Sequence, residues 1–342
     1  MTRSLRILRS GPQVTVQDLG RPGYLAQGLS RGGAADRLAV AEGAALLGQH
    51  PGLAVLEFAG FGAQLQVTEP MRAALTGAPM IATLGDRAVE WNTGFTLHPG
   101  DVLDVGAAKT GVYGYLSVAG GIDSAPMLGS RAVHLVAGLG TRLEPGDVLP
   151  VGPDPVSDRP PMRLTPEPRF QGGEVRIVPG AQTALYDAAT RIRFEATAFT
   201  RDARGNRQGV QLAFNGAPFE VEGQRTILSE VIVPGDIQMT GDGVPFVLLP
   251  ECQTTGGYPR IGSVLPEDLP IVAQAMPGAP LRFTFLDIDS ARRAHLPEPD
   301  RFAAVAASAI PAVRDPRDMQ DLLHYQLISG VTAGADTSGK DR

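Results

Sequence analysis

One ten-residue segment occurs twice, and it constrains the fold class more than any other feature of the chain. Leu97-His98-Pro99-Gly100-Asp101-Val102-Leu103-Asp104-Val105-Gly106 returns as Leu143-Glu144-Pro145-Gly146-Asp147-Val148-Leu149-Pro150-Val151-Gly152, with two positions changed. Pro-Gly suits the centre of a type II turn, and the apolar residues after it can continue as a strand. Looser copies stand at Val233-Pro234-Gly235-Asp236 and Met276-Pro277-Gly278. The recurrence is too irregular for a solenoid and predicts hairpins and corners in related β-modules. The 42 glycines and 29 prolines are spread along the whole chain between short apolar runs. That is the pattern of mainly β domains with many turns.

A length of 342 residues is enough for two domains with sizeable cores. We expect a β-rich N-terminal domain over 1–155, a proline-rich linker over 156–170, and a β-barrel-like domain over 171–296. A helical extension with a disordered tail is expected over 297–342. Strand-like runs fall within 5–17, at Ala54–Phe58, Ala63–Val67 and Ala73–Leu75, and repeatedly from Val175 to Leu286. Helical spacing is found at Ala39–Leu47, stopped by Gly48, at Phe302–Ile310, and in amphipathic form at Asp318–Ser329.

A formal net charge of −6 and a pI near 5.4 give no general attraction for nucleic acid. No apolar run approaches the length of a membrane span, and Met1–Gly11 lacks the apolar core of a secretory signal. The single cysteine, Cys252, excludes an internal disulfide and fits a reducing compartment, so a cytoplasmic protein is expected.

The chemistry-bearing residues gather in glycine-rich loops. The first to consider is Glu251-Cys252-Gln253-Thr254-Thr255-Gly256-Gly257-Tyr258-Pro259-Arg260, directly after the apolar run Phe246–Leu249. Gly256 and Gly257 permit close approach to a ligand; Gln253, Thr254 and Thr255 offer neutral donors and acceptors, and Arg260 a cationic fork. The same letters also make a plain strand–turn–strand connection. Asp18 and Arg21 either pair locally or face a substrate together. Ser30-Arg31-Gly32-Gly33-Ala34-Ala35-Asp36 precedes a helix, as an anion-cradling loop does, but it lacks the Lys-Ser/Thr ending of a P-loop. Asn206, Arg207 and Gln238 complete the set. Gly28-Leu29-Ser30-Arg31-Gly32 matches the nucleophile elbow by letter, yet no strand leads into it, so we expect a chance match. Cys252 reads as a packing residue. The five histidines are scattered without spaced partners, so no metal is expected.

Several of these segments also carry a resemblance, in order along the chain. Val16-Gln17-Asp18-Leu19-Gly20-Arg21-Pro22-Gly23-Tyr24 and Tyr115-Leu116-Ser117-Val118-Ala119-Gly120-Gly121-Ile122-Asp123 are similar to signatures of the biotin-dependent carboxyltransferase-like family. So are Leu228-Ser229-Glu230, Pro234-Gly235-Asp236-Ile237-Gln238 and Gln253–Pro259. This is the family of the second allophanate-hydrolase-type subunit, and the chain most resembles its bacterial 5-oxoprolinase branch, the C-type subunit. The resemblance implies two cyclophilin-like β-barrel domains and a B-type partner, the first allophanate-hydrolase-type subunit. Together with a lactam-utilisation partner of the A type, such a complex opens 5-oxo-L-proline to L-glutamate with ATP, the nucleotide being required at the level of the complex.

In that reading Asp18, Arg21, Arg207, Gln253 and Arg260 are the candidate catalytic residues. Asp36, Asn206, Gln238, Thr254, Thr255, Gly256, Gly257 and Tyr258 are the candidate substrate contacts. The family also includes carboxyltransferase components of urea carboxylase, which use biotin, and a regulatory antagonist of a sporulation-kinase inhibitor; these are the alternatives. The sequence departs from the family pattern at Asn206-Arg207-Gln208-Gly209-Val210-Gln211-Leu212, which loses a methionine and a second arginine. The loop after Gly138-Leu139-Gly140 is shorter than the family norm, and the tail after residue 296 is an addition to it.

Overall fold

The computed structural model describes residues 3–221 and 227–313. Its first half runs through Ser4–Ser10 (β1), Val14–Gln17 (β2), Arg37–Leu47 (α1), Val55–Ala59 (β3), Ala63–Val67 (β4), Met71–Gly77 (β5), Met80–Leu84 (β6), Arg87–Ala88 (β7), Gly94–Leu97 (β8), Leu103–Ala108 (β9), Tyr113–Val118 (β10) and Val148–Pro150 (β11). The strands form two sheets, one in the order β11-β1-β4-β9-β6-β7 and one in the order β2-β3-β10-β5-β8. Apolar side chains from both sheets, among them Leu5, Ile7, Leu56, Phe58, Leu65, Leu75, Leu103 and Leu116, share one core. Alternation places them there: in β4, Ala63, Leu65 and Val67 are buried while Gln64 and Gln66 are half-buried.

The second half continues with Met162–Arg163 (β12), Gly173–Val178 (β13), Ala188–Ala196 (α2), Phe199–Gly205 (β14), Gly209–Ala213 (β15), Glu230–Val231 (β16), Asp236–Met239 (β17), Pro245–Leu248 (β18), Thr255–Gly256 (β19), Arg260–Val264 (β20), Leu269–Gln274 (α3), Pro280–Phe285 (β21), Ile288–Ala294 (α4), Glu298–Ser308 (α5) and Ile310–Pro311 (β22). Seven strands close a barrel in the order β13-β20-β17-β18-β15-β14-β21, and a parallel pairing of β13 with β21 completes the ring. Closure leaves this sheet without free edges. Phe194, Phe199, Phe219 and Phe283 pack inside it with ring centroids 4.9–5.8 Å apart. The expected mainly β, barrel-like fold with few helices is what the chain forms. The amphipathic segment Asp318–Ser329 and the tail lie outside the described residues.

The repeated Pro-Gly-Asp segment has a common physical form. Gly100, Gly146 and Gly235 take φ values of 92°, 101° and 96°, which the third position of a type II turn demands. In each copy the aspartate Oδ2 then accepts the N–H three residues back: His98 for Asp101 at 2.8 Å, Glu144 for Asp147 at 2.8 Å, Val233 for Asp236 at 3.1 Å. Side chain and backbone thus lock the same corner.

Helix α1 lies against β5 and β10. Asp36 caps it by accepting the Ala39 N–H, and Gly48 ends it in the left-handed region at φ 69°. A Cβ at Gly43 would meet Ser117 Oγ at 2.1 Å, so only glycine lets the helix sit this close to the sheet. Helix α5 crosses α1 from the far end of the chain, and β22 pairs with β12. The proline-rich stretch before β13 is not a loose tether: Leu164 and Arg169 within it are buried.

Candidate functional site

The two halves meet on a buried chain of charges. Arg207, in the turn between β14 and β15, donates through Nε to Glu251 Oε1 at 2.6 Å, through Nη1 to Glu57 of β3, and through Nη2 to the Gly33 carbonyl. Glu57 Oε2 also accepts the Ala35 N–H and the Tyr115 hydroxyl, each at 2.8 Å. Tyr115 Oη in turn accepts the Asp36 N–H at 2.8 Å. Asp36 Oδ2 accepts Arg169 Nε at 2.7 Å and Gln274 Nε2 at 2.9 Å. Arg169 then clamps Glu42 through both terminal nitrogens, at 2.8 and 2.7 Å. Two guanidiniums therefore serve four carboxylates in a site shut off from water. Burial pushes Glu42 up to about 7 against the pull of Arg169. Asp36 and Glu42 share one guanidinium, and Asp36 has the Ala39 N–H and the Gln274 amide as well, so Glu42 carries the excess.

Asp18 and Arg21 are both buried, and no ion pair joins them. Asp18 accepts Ser130 Oγ at 2.6 Å, the Arg131 N–H at 2.7 Å and the Gly20 N–H at 2.7 Å. Arg21 donates to the carbonyls of Met127 and Ala132. Their side chains hold the turn at residues 127–132 and face inward, which is neither arrangement expected for them. Arg207 and Asp36 are likewise committed to the junction, as ion-pair partner and helix cap.

Ser30 does find a histidine. Its Oγ lies 2.9 Å from His134 Nε2, while His134 Nδ1 accepts the Ala137 N–H at 3.2 Å. Nδ1 is therefore the acceptor, the proton sits on Nε2, and the ring donates to Ser30. Burial holds His134 below its ordinary value. A serine nucleophile needs the opposite direction of donation, and the nearest carboxylate, Glu251, stands 3.9 Å from Nδ1. The elbow match is a structural contact.

The loop Gln253–Arg260 lies on the rim. Thr255 and Gly256 form β19 and pair with Glu230 and Val231 of β16, giving a short two-stranded ribbon. Gln253, Thr255 and Tyr258 are exposed, whereas Thr254 is buried beside Gly28. Gln238 stands under the ribbon; a Cβ at Gly256 would come within 2.5 Å of its Nε2, so the glycine allows the amide its place. Arg260 anchors the ribbon: Nη1 donates to the Val231 carbonyl at 2.7 Å and Asp236 at 3.1 Å, Nη2 to Glu230 at 2.7 Å, and Nε to Gln182 Oε1 at 3.2 Å. Cys252 is buried and its thiol is pushed up to about 12 by burial, which suits packing and not nucleophilic attack. The exposed Asn206 is held nearby, because Leu249 and Glu251 donate their N–H groups to the carbonyls of Gln208 and Arg207.

The predicted residues thus divide. Gln253, Thr255, Gly256, Gly257, Tyr258 and Asn206 are reachable from solvent around one rim, with Gln238, Thr254 and Arg260 supporting them. Asp18, Arg21, Asp36 and Arg207 are interior. Glu57, Glu42, Tyr115, His134, Arg169 and Gln274 were not singled out as site residues from sequence; Tyr115 heads the second quoted signature, and the others carry no local motif that would have marked them.

The chain thus pairs a two-sheet half with a closed barrel, joined by buried ion pairs. The profile of the family described as "Carboxyltransferase domain, subdomain A and B" matches residues 27–285, and the chain belongs to that family. It is 32% identical over 307 residues to the C subunit of 5-oxoprolinase from Escherichia coli K12, covering 88% of this chain and 97% of that protein. The corresponding 5-oxoprolinase C subunit of Haemophilus influenzae is 30% identical over 291 residues, 84% of this chain and 93% of that one. Urea amidolyase of Lachancea kluyveri is 28% identical over 151 residues, 43% of this chain and 8% of its own length. Among solved structures, TTHA0988 superposes with a TM-score of 0.76 at 31% identity over 83% of this chain; the match spans 56% of the TTHA0988 chain. The Kluyveromyces lactis urea amidolyase shares the fold at a TM-score of 0.78 and 22% identity, over 92% of this chain and 21% of that one.

Proposed function

We propose that the chain is the C subunit of an ATP-dependent 5-oxoprolinase, acting with subunits of the B and A types. The observation that carries this is the end-to-end match: 97% of the Escherichia coli C subunit is covered at 32% identity. A lactam carbonyl is a weak electrophile because amide resonance occupies it. Opening it calls for activation of the oxygen and for hydrogen-bond donors placed where oxyanion charge grows. The rim supplies such donors in the Gln253 and Asn206 amides and the Thr255 hydroxyl, next to a ribbon whose Gly256 lets the Gln238 amide stand close beneath it. In this reading the rim forms one wall of the reaction site and a partner protein the other.

ATP is assigned to the complex and not to the Ser30–Asp36 loop. The amides of Gly32, Ala34, Ala35 and Asp36 all bond within the protein, so they offer no phosphate cradle. Cytoplasmic placement is part of the proposal; among the described residues, no helix is long and apolar enough to cross a membrane.

The test is co-expression with the neighbouring subunits and measurement of L-glutamate formed from 5-oxo-L-proline and ATP. We expect turnover only with all subunits present. The stretch of similarity to a urea amidolyase supports one competing reading, a biotin-dependent carboxyltransferase component. A well-assembled complex that leaves 5-oxoproline untouched but carboxylates an amide with biotin would replace the first reading by the second.

A further inference from the structure

Four backbone amides of the glycine-rich loop before α1, those of Gly32, Ala34, Ala35 and Asp36, bond within the protein, and the loop also offers a side chain. Arg31 donates through Nε to the Leu19 carbonyl at 2.9 Å, and among the described residues its two terminal nitrogens make no hydrogen bond. The nearest carboxylate is Glu298, 3.9 Å away. Glu298 is already taken: Arg37 holds both of its oxygens, at 2.7 and 2.6 Å. Two guanidiniums therefore share one carboxylate, and Arg31 is the one left over. Burial pushes Arg37 down to about 10, with the neighbouring Arg31 as the next contributor.

Beside Arg31 lies a cavity of about 170 Å³ between the two halves of the molecule, roofed by α5. Its walls are mostly apolar, with Leu38 from α1, Pro234, Pro250 and Leu269 from the barrel side, Leu296 from the link between α4 and α5, and Phe302 from α5. Of the three arginines that line it, Arg37 pairs with Glu298 and Arg301 with Glu167 at 3.0 Å, which leaves Arg31, among the described residues, without a close carboxylate of its own. An apolar cavity of about 150 Å³ accommodates one benzene ring, so the volume suits a single small ring. Arg31 is half-exposed, and its unused fork matches the geometry of a carboxylate.

We propose that this cavity binds a single-ring monocarboxylate, with the Arg31 fork on the carboxylate and the ring against Leu38, Leu269 and Phe302. The existence of the site follows from the cavity and the surplus guanidinium. The identity of its natural ligand as 5-oxo-L-proline rests on the 5-oxoprolinase reading. Pro250, three residues before Gln253, belongs to the cavity wall, so the site lies behind the segment that leads to the rim.

Isothermal titration of the full chain tests this with three probes: 5-oxo-L-proline, cyclopentanecarboxylate and 2-pyrrolidone, which lacks the carboxylate. The two acids should bind saturably, at least tenfold tighter than 2-pyrrolidone, and more weakly as salt is raised. Arg31→Gln should weaken both acids at least tenfold, with an unchanged near-UV circular dichroism spectrum. Leu296→Trp, at an exposed position of the roof, should weaken them by filling the cavity. Absence of saturable binding to the wild-type chain, or equal binding by Arg31→Gln, overturns the site. Turnover by the complex without acid binding to this chain overturns the site and leaves the functional reading. Binding without any turnover of 5-oxoproline does the reverse.

Discussion

Arg207 and Arg260 are both arginines held between two carboxylates, one at the junction of the halves and one on the rim. Arg207 lies between Glu57 and Glu251 and is buried with them. Arg260 lies between Glu230 and Asp236, and half of the Glu230 side chain is in water. Enclosure makes the difference. At the junction, removing one partner strands the others without solvent, so the network acts as a fixed joint between the sheets and the barrel. On the rim, water can replace a lost partner, and the ribbon is free to serve a ligand or a neighbouring protein.

The sharpest way to break the comparison is Arg207→Met. It leaves Glu57 and Glu251 buried without a cation, which costs about 3–5 kcal/mol in the usual range for such cuts. Urea unfolding should show that loss at pH 7. A triple variant that also replaces Glu57 and Glu251 by apolar residues should recover much of it, because no charge is then stranded. If the single variant is as stable as the wild type, the junction is not the joint described here.

The next effect is a pH dependence. Glu42 has an ordinary value of 4.5 and is raised to about 7 in the folded chain, mainly by burial. Between these values the folded state holds more proton than the unfolded state, so stability must fall as pH rises. The contribution is complete below pH 4.5 and gone above pH 7, a change on the order of 3 kcal/mol. Glu42→Gln keeps an acceptor for Arg169 and removes the excess charge, so its unfolding midpoint should vary less over that window. An unchanged slope in Glu42→Gln would assign the dependence to another group.

These contrasts also show what the sequence made legible. The Pro-Gly-Asp corners were readable because every partner lies within three residues, and the same atoms close each copy. Helix α1 was readable from its alanine and leucine spacing and from Gly48, which ends it locally, whereas Asp36, read as a substrate contact, is its N-cap. The junction was not. Arg207 reaches Glu57 across 150 positions, and Arg169 reaches Asp36 across 133. No spacing rule spans such distances; only the packed fold creates them. Asp18 and Arg21 show the intermediate case. Three apart, they suggested a pair, but the fold gave each its own partners in the turn at 127–132. A short, ordered motif was therefore a good guide to family and a poor guide to which atoms face a ligand.

On the rim, Arg260→Ala should cost less than the junction cut, about 1–2 kcal/mol for a partly exposed, hydrogen-bonded arginine. Asp236 keeps Ser263 Oγ at 2.5 Å and the Val233 N–H at 3.1 Å, so it is not stranded. Turnover in the complex should fall as well, because β16 and β19 lose their shared anchor. For that reason the variant alone does not separate catalysis from support. Arg260→Lys sharpens it: one ammonium cannot reach Val231, Glu230 and Gln182 together, so partial rescue of stability without rescue of turnover would point to the fork itself.

Gln253→Ala should have the smallest effect on the fold and separates the alternatives most cleanly. The side chain is exposed and, among the described residues, no internal hydrogen bond holds it, so stability should move by no more than about 0.5 kcal/mol. Thermal unfolding of the chain and size-exclusion profiles of the complex should match the wild type. If the Gln253 amide donates to developing oxyanion charge, kcat should nevertheless drop by about 10²–10³, the usual loss for one such donor. KM should change little, because the interaction is absent from the ground state. A wild-type kcat removes Gln253 from the site and leaves the ribbon as a docking element alone. A rise in KM with kcat intact would instead make the amide a substrate contact, and the rim a place where the ring is held before the bond is attacked.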